Sequence, residues 1–200
     1  QSLQSAFAAR QLVFAHAAMT DLKAGKLHHD QRIARAGFGV AGASDTDTDI
    51  RLQDWSLRRT DQGAKKGADQ GMGSRYSARV AGNDFALDLV FDSTQPPLLQ
   101  GQQGLSRKGP DASQASYYYS QPQLQVSGSL SLVGRRMAVE PATQPGDNRA
   151  WMDHEASEAL MHPQAVGWDW IGMNLHDGSA LTAFRLRRAD GSMLWTGGSF

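Results

Sequence analysis

Asp153 and Glu155 lie in the densest cluster of reactive side chains in this 200-residue sequence. The stretch AWMDHE places Trp151, both carboxylates and His154 within five consecutive positions. If this stretch is extended, its side chains alternate, so that Trp151, Asp153 and Glu155 share one face and His154 points to the other. Two carboxylates held close beside an apolar wall resist double ionisation, so one could stay protonated near neutral pH and act as a general acid. Asp153, Glu155 and His154 are therefore the candidate catalytic residues.

Aromatic residues supply the second half of this candidate chemistry. In GWDWIGMNLHDG, the same alternation places Trp168, Trp170 and Asn174 on one face. Protonation of an isolated alkene gives a tertiary cation, which indole and phenol faces stabilise until water adds, without a metal or organic cofactor. Core packing is the favoured alternative for Trp168 and Trp170, because aromatic side chains supply much of the buried area of small β proteins. The side chains predicted to contact a ligand are Trp151, Trp168, Trp170, Tyr118, Tyr119 and Asn174.

A structural explanation of the two carboxylates also remains open. Arg185 and Arg187 alternate on one face of AFRLRR. Their guanidinium groups could pair with Asp153 and Glu155 and brace a β-barrel from inside or at its rim. Carboxylates with shifted ionisation occur in such structural networks as well as in active sites, so the residue types alone do not decide between the two explanations.

Other motifs point away from metal, phosphate and hydrolytic chemistry. LHHD, residues 27–30, offers two histidines, but neighbours on a strand point to opposite faces and no third ligand is evident, so a solvated turn is expected and not a metal site. His16 is expected to be a hydrogen-bonded histidine of the core. The sequence contains no Gly-rich phosphate loop, no GxSxG elbow and no cysteine. It therefore shows no nucleophile of a hydrolase.

The composition is that of a globular chain without a charge-driven partner. Twenty basic and twenty acidic residues cancel, so no overall field favours binding to nucleic acid or to an anionic membrane. No apolar run approaches the roughly 20 residues that a membrane-spanning helix needs. The sequence has no initiator methionine, and its last residues, SMLWTGGSF, look like a strand. We therefore expect a piece of a longer protein.

The periodicity of the chain predicts an antiparallel β protein. Short β-favouring runs bounded by Gly, Pro, Asn and Asp recur about every ten residues, which is typical of a barrel or a sandwich. A short helix is predicted around Ser157–Met161. The predicted strands are 11–20, 33–40, 50–59, 75–81, 85–92, 117–121, 123–132, 135–141, 166–175 and 179–187.

Two segments lack the strand pattern. Thr60–Ser74, TDQGAKKGADQGMGS, is rich in glycine and charge, which predicts a mobile loop or an exposed hairpin tip. Gln95–Ser116 is a long irregular connection. Connections of that length inside a domain often line a binding site, so residues 95–116 are a candidate lid.

Eight stretches occur in the order typical of one family: LVFAHAAMTD, ARAGFGVAG, LQDWSL, FALDLVF, PPLLQGQQGLSRKG, ASYYYSQPQLQVSGSLSL, AWMDHE and GWDWIGMNLHDGSALTAFRLRRADG. Together they resemble the AttH-like family of bacterial proteins, whose superfamily includes the carotenoid hydratases and is often labelled as predicted secreted hydrolases. The resemblance implies two lipocalin-like antiparallel β-barrels in tandem, usually in a periplasmic or secreted protein. Residues 1–200 would then form mostly the N-terminal barrel, whose partners would be the second barrel and a hydrophobic small molecule.

One position departs from the family pattern. Family members usually read DHEWS or DREWS where this sequence reads DHEAS, so Ala156 stands where a tryptophan is common. Removing a buried indole costs a few kcal/mol. The site around Ala156 is therefore expected to be either peripheral or filled by neighbouring side chains.

Two functions fit these residues, beside the possibility that the chain is a structural half that does nothing without its second barrel. The first is a lipocalin-like cavity that holds a small or elongated hydrophobic molecule and supports its acid-catalysed hydration or isomerisation. The second is a carrier of the cell envelope that binds such a molecule without changing it. The surroundings of Asp153 and Glu155 separate the two: a catalytic pair faces an open cavity with an unpaired carboxyl, whereas arginines satisfy a scaffold pair.

Overall fold

The structure, a computed structural model, describes residues 11–60, 73–143, 147–159 and 161–200. These residues contain no helix, and their strands pair antiparallel, which confirms the predicted all-β antiparallel class. The strands are β1 (Leu12–Asp21), β2 (Lys26–Arg35), β3 (Ala41–Ala43), β4 (Asp49–Leu52), β5 (Trp55–Arg59), β6 (Arg75–Ala81), β7 (Phe85–Asp92), β8 (Leu98–Leu99), β9 (Leu105–Arg107), β10 (Ala115–Leu132), β11 (Arg135–Val139), β12 (Arg149–Ala156), β13 (Gly167–Asn174), β14 (Ala180–Arg187) and β15 (Met193–Ser199).

Turn residues explain two of the differences between the predicted and the observed strand bounds. The bounds of β6 and β7 agree with the prediction. The strand predicted over 33–40 ends at Arg35, because Gly37–Gly39 all have positive φ, which interrupts an extended chain. The strand predicted over 50–59 is instead the hairpin β4–β5, which turns at Gln53 with a φ of 59°.

Among the described residues, the first of two compact units comprises 11–60, 74–91 and 127–140. Its main sheet has the strand order β11-β10-β7-β6-β5-β4-β3. Only the C-terminal part of β10 belongs to this unit. Strands β1 and β2 pair with each other in a separate two-stranded sheet. Val13, Ala41 and Leu52 form a buried apolar cluster. Leu52 is only 1% exposed, so this cluster is a core of the first unit.

Two sequence predictions about histidines in this unit are wrong. The motif LHHD lies within strand β2 and not in a turn, because all of β2 pairs with β1. His28 of this motif is 5% exposed, and its Nδ1 lies 3.4 Å from Asp84 Oδ2. His16 was expected in the core but is exposed on β1, where its ring meets Phe14 edge-on. Alternate side chains of a strand point to opposite faces, and His16 belongs to the exposed set of β1.

The second compact unit comprises, of the described residues, Gly73, 92–126, 141–143, 147–159 and 161–200. Strands β8, β9 and β12 all pair with the N-terminal part of β10. Strands β13, β14 and β15 form a three-stranded sheet in that order. The candidate site described below belongs wholly to this unit.

Strand β10 runs through Pro122, where the sequence predicts a break between two strands. The register between β10 and β12 shifts between Gln121 and Leu124, and Gln123 has a φ of 55°. These features define a β-bulge, whose extra residues leave the hydrogen-bond ladder, so that proline is tolerated there. The break is therefore a bulge within one strand.

Three predictions concern segments outside the long strands. The connection 95–116 contains β8 and β9, both paired with β10, and its role as a lid stays a prediction. The helix predicted around Ser157–Met161 is absent from the described residues. Ser157 Oγ donates to the Ala115 carbonyl and accepts from the Ala159 amide, and such local bonds compete with a helix. Of the predicted loop Thr60–Ser74, residues 61–72 lie outside the described residues.

Candidate ligand-binding site

A cavity of about 300 Å³ lies in the second unit, lined by β10, β12, β13, β14 and the connection before β10. Its apolar wall consists mainly of Tyr118, Met161, Trp168, Trp170, Phe184 and Leu186. Lys108, Ser116 and Glu155 are polar residues at the same cavity. A concave, mostly aromatic wall with a few polar groups is typical of a site for a small molecule.

The two indoles of β13 face the cavity and remain accessible. Trp168 is 61% exposed and Trp170 is 43% exposed, so the favoured prediction of core packing for these residues is wrong. Trp170 Nε1 donates to the hydroxyl of Tyr118 at 3.2 Å, and the Trp151 ring meets Trp170 edge-on with centroids 6.2 Å apart. These contacts fix the orientation of Trp170. At Gly172, an added Cβ would overlap the Trp170 ring, so only glycine leaves room for it.

The carboxylate of Glu155 lies at the wall of the cavity and is held by two donors. Lys108 Nζ is 2.9 Å from Glu155 Oε1, and Ser116 Oγ donates to the same oxygen at 2.5 Å. The Lys108 ammonium also lies 4.5 Å from the ring centroids of both Tyr118 and Phe184. The cavity therefore combines an aromatic wall with one ordered ion pair.

Asp153 is exposed, does not line the cavity, and belongs to a hydrogen-bond network with residues of β10 and β12. Ser120 Oγ donates to Asp153 Oδ1 at 2.6 Å, and Trp151 Nε1 donates to the same atom at 2.7 Å. Ser120 is fully buried and accepts in turn from the side-chain amide of Gln100. Burial raises the pKa of the Tyr118 hydroxyl, and the nearby charge of Asp153 raises it further. Tyr118 therefore stays protonated at neutral pH, and its hydroxyl accepts from Trp170.

The predicted alternation along β12 is confirmed. Trp151 and Asp153 share a hydrogen bond on one face, and Glu155 contacts the cavity from that face. His154 lies on the opposite face, where it stacks on Tyr119 with centroids 5.1 Å apart. The structure therefore separates His154 and Tyr119 from the other predicted site residues, because each alternates with a neighbour that points to the cavity side.

Asn174 links strands and does not line the cavity. Its Oδ1 accepts from the Gln123 amide at 2.8 Å, and its Nδ2 donates to the Ala150 carbonyl at 3.2 Å. The side-chain amide of Gln123 also donates to the carbonyls of Leu175 and Ser179. Asn174 thus accepts a hydrogen bond from the bulged backbone of β10, so its role is structural.

The predicted pairing of Asp153 and Glu155 with Arg185 and Arg187 is wrong, because both arginines bind Asp169 instead. Arg185 Nε donates to Asp169 Oδ2 at 2.5 Å, and Arg187 Nε lies 3.1 Å from the same oxygen. Asp169 stands directly opposite Arg185 in the β13–β14 register, so the cross-strand pair forms locally. The hydrogen bond from Arg185 lowers the pKa of Asp169 below its usual value, and the charge of Arg187 contributes.

Several residues of the cavity are absent from the predicted site residues, among them Lys108, Ser116, Phe184 and Leu186. Lys108 and Ser116 lie within the predicted lid segment, where the only signal was the length of the irregular connection. Phe184 and Leu186 alternate with the two arginines of β14, and that alternation already places them on the opposite, apolar face. The alternation that placed the two arginines on one face of β14 could therefore also have identified Phe184 and Leu186 as residues of the apolar wall.

The described ranges contain neither a metal-ligand cluster nor a membrane-spanning helix. No group of three or more His, Asp or Glu side chains there could hold a metal ion. Among the same residues, no helix is long and apolar enough to cross a membrane.

Known proteins that resemble this chain share its fold. A crystal structure of a protein from Nitrosomonas europaea designated AttH superposes with a TM-score of 0.81 and 45% identity, over 97% of this chain and 55% of that one. Kievitone hydratase from Nectria haematococca superposes with a TM-score of 0.65 and 14% identity, over 90% of this chain and 50% of that one. The chain thus spans about half the length of each of these proteins. A comparison with curated proteins found no match to the chain. These likenesses confirm the lipocalin-like antiparallel β fold class. The AttH-like family model matches residues 1–200, and the chain belongs to the AttH-like family.

Proposed function

We propose that the chain binds a small apolar molecule in the cavity of its second unit. The observation that carries the proposal is the exposure of two indoles, 61% for Trp168 and 43% for Trp170, on one concave wall. Large aromatic side chains are rarely left accessible side by side in a cavity unless something packs against them. The volume of about 300 Å³ suits a ligand of modest size, or one segment of an elongated ligand.

The wall is ordered before a ligand arrives. The hydrogen bond to Tyr118 and the edge-on contact with Trp151 hold Trp170 in place. Residues that are already ordered lose little conformational entropy on binding, which favours affinity. The proposed ligand would lie along the indole faces, with its polar end toward Lys108 and Glu155.

A first experiment measures binding of a neutral fluorescent probe, N-phenyl-1-naphthylamine. We expect Trp168→Ala to weaken binding by roughly tenfold, since loss of a buried aromatic contact at a binding site costs more than about 1 kcal/mol. Ile171→Ala is the matched control, because Ile171 lies on the same strand, is 48% exposed and does not line the cavity. Equal affinity of both variants and the parent chain would contradict the proposal.

Acid-catalysed hydration is the second candidate function, and the position of Glu155 favours it. Its carboxyl lies at the same cavity as Tyr118, Trp168 and Trp170, whose ring faces would stabilise a carbocation. In this reaction a carboxylic acid gives its proton to the less substituted alkene carbon, water adds to the tertiary cation, and the carboxylate recovers a proton from the adduct. One protein of the same fold is described as kievitone hydratase.

The family resemblance supports the wider setting of this proposal. The whole protein would carry a second lipocalin-like barrel and would be periplasmic or secreted, as proteins of the AttH-like family usually are. Within the candidate lid, Lys108 and residues 114–116 line the cavity, which supports a role for this connection in covering the ligand. A carrier that binds its ligand unchanged is the alternative, and it is favoured by the Lys108 and Ser116 donors that already satisfy Glu155 Oε1.

A further inference from the structure

An ion pair lies at the wall of an otherwise largely apolar cavity. Lys108 and Glu155 are the charged side chains among the described residues that line it, and their charges cancel. The Lys108 side chain is 22% exposed and that of Glu155 is 42% exposed, so both remain reachable from the cavity. A polar pair in such a place decides which ligand end can be accommodated.

Lys108 is held more firmly than an ordinary surface lysine. Its ammonium lies 4.5 Å from the ring centroids of both Tyr118 and Phe184, and 2.9 Å from Glu155 Oε1. Two cation–π contacts and an ion pair together restrict the side chain and keep the charge in place. The ammonium has three N–H donors, so donors remain for a ligand.

Glu155 offers the complementary function. The Lys108 ammonium and the Ser116 hydroxyl both bind Oε1, and the carboxylate has a second oxygen with its own lone pairs. A donor and an acceptor thus stand side by side, about one hydrogen bond apart. A hydroxyl group can accept from the ammonium and donate to the carboxylate at the same time.

We propose that the Lys108–Glu155 pair makes this cavity selective for an uncharged apolar molecule that carries a hydroxyl group. This inference rests on the proposed binding of an apolar molecule. A ligand carboxylate would be repelled by the charge of Glu155, and a ligand ammonium would be repelled by that of Lys108. A hydrocarbon end would remove water from the pair without replacing the hydrogen bonds of that water. A tertiary alcohol, the product of hydration, belongs to the selected class.

The test compares three probes that share one naphthalene body: 2-naphthol, 2-naphthoate and 2-naphthylmethylamine. At neutral pH we expect the parent chain to bind the naphthol roughly three- to tenfold more tightly than either ion, the range for a partly exposed charge contact. Glu155→Gln leaves the lysine uncompensated and should make naphthoate the best probe. Lys108→Met should make the amine the best probe for the opposite reason. The double variant should bind all three alike.

Unsubstituted naphthalene separates the two possible failures. If naphthalene binds and the rank order of the three probes is the same in all variants, the selectivity inference is overturned while the binding proposal stands. If neither naphthalene nor any substituted probe binds, the binding proposal falls and the selectivity falls with it. Circular dichroism checks that each variant is folded, and Glu155→Gln, which keeps the side-chain shape, decides the question if Lys108→Met does not fold.

Discussion

At the scale of single residues, Asp153 and Glu155 differ more than their shared strand face suggests. Asp153 does not line the cavity and accepts from Ser120 and Trp151. Glu155 lies at the cavity itself and is paired with Lys108. Neither carboxylate neutralises a buried guanidinium group, because Arg185 and Arg187 bind Asp169. Asp153 can therefore be tested for chemistry without removing the partner of a buried charge, whereas substitution of Glu155 also removes the anion beside the Lys108 ammonium.

Amide substitutions separate catalysis from structure at these positions. We expect Glu155→Gln to abolish hydration of 2-methyl-2-heptene in isotopically labelled water, because the amide cannot protonate the alkene, and Asp153→Asn to reduce it less. Both changes should shift the free energy of unfolding by less than about 1 kcal/mol, since an amide oxygen still accepts the existing bonds. Labelled tertiary alcohol is measured by mass spectrometry and stability by urea unfolding.

Two outcomes would contradict this assignment. Undiminished formation of the alcohol by Glu155→Gln would remove Glu155 from the chemistry. A large loss of stability with unaltered probe binding would make the AWMDHE segment a brace of a carrier, which is the alternative function. Ser120→Ala serves as the structural control, because it leaves the buried Gln100 amide without its acceptor and should cost about 1–3 kcal/mol.

At the scale of elements, the pairing of β14 with β15 shapes one wall of the cavity. Phe184 stands directly opposite Gly197 in the register of the two strands. An added Cβ at Gly197 would lie 2.6 Å from the Phe184 ring, closer than any ordinary contact. The ring therefore covers the glycine, and from there it reaches both the cavity and the Lys108 ammonium.

Gly197→Ala should displace the Phe184 ring, and this should disturb both the cavity wall and the contact of the ring with the Lys108 ammonium. We expect a loss of about 1–3 kcal/mol in unfolding free energy, typical of overpacking, together with weaker binding of N-phenyl-1-naphthylamine. Gly42→Ala is the matched control, because Gly42 also lies in a strand but has open space where a Cβ would stand. A stable Gly197→Ala variant with unchanged probe affinity would show that the ring relaxes without cost.

The same elements show what the sequence could and could not predict. Strand alternation depends on local geometry alone, so it correctly placed Trp151, Asp153 and Glu155 on one face and the β13 indoles together. It could not reveal which strands pair, and the salt-bridge partners of β14 depend on that register. It also could not reveal the bulge at Gln123, whose positive φ is stabilised by residues about fifty positions away.

At the scale of the whole molecule, the chain divides into two compact units, and the apolar core cluster and the candidate cavity lie in different units. The core cluster of the first unit is built from Val13, Ala41 and Leu52. All residues that line the candidate cavity belong to the second unit. Strand β10 contributes to both units, with its C-terminal part in the first and its N-terminal part in the second. Ligand binding should therefore depend on local packing in the second unit and less on the core of the first.

A matched pair of core truncations tests this separation. Leu52 is 1% exposed in the first unit and Leu186 is 4% exposed at the cavity of the second. Leucine-to-alanine changes in cores cost about 2–5 kcal/mol, so both variants should melt at lower temperature than the parent chain. Well below their melting temperatures, Leu52→Ala should bind N-phenyl-1-naphthylamine as the parent does, whereas Leu186→Ala should bind it less tightly because its wall has lost a contact. Thermal melts and probe titrations on the same samples give both quantities. Loss of probe binding in folded Leu52→Ala would show that the cavity depends on the first unit, and the assignment of the site to the second unit alone would then fail.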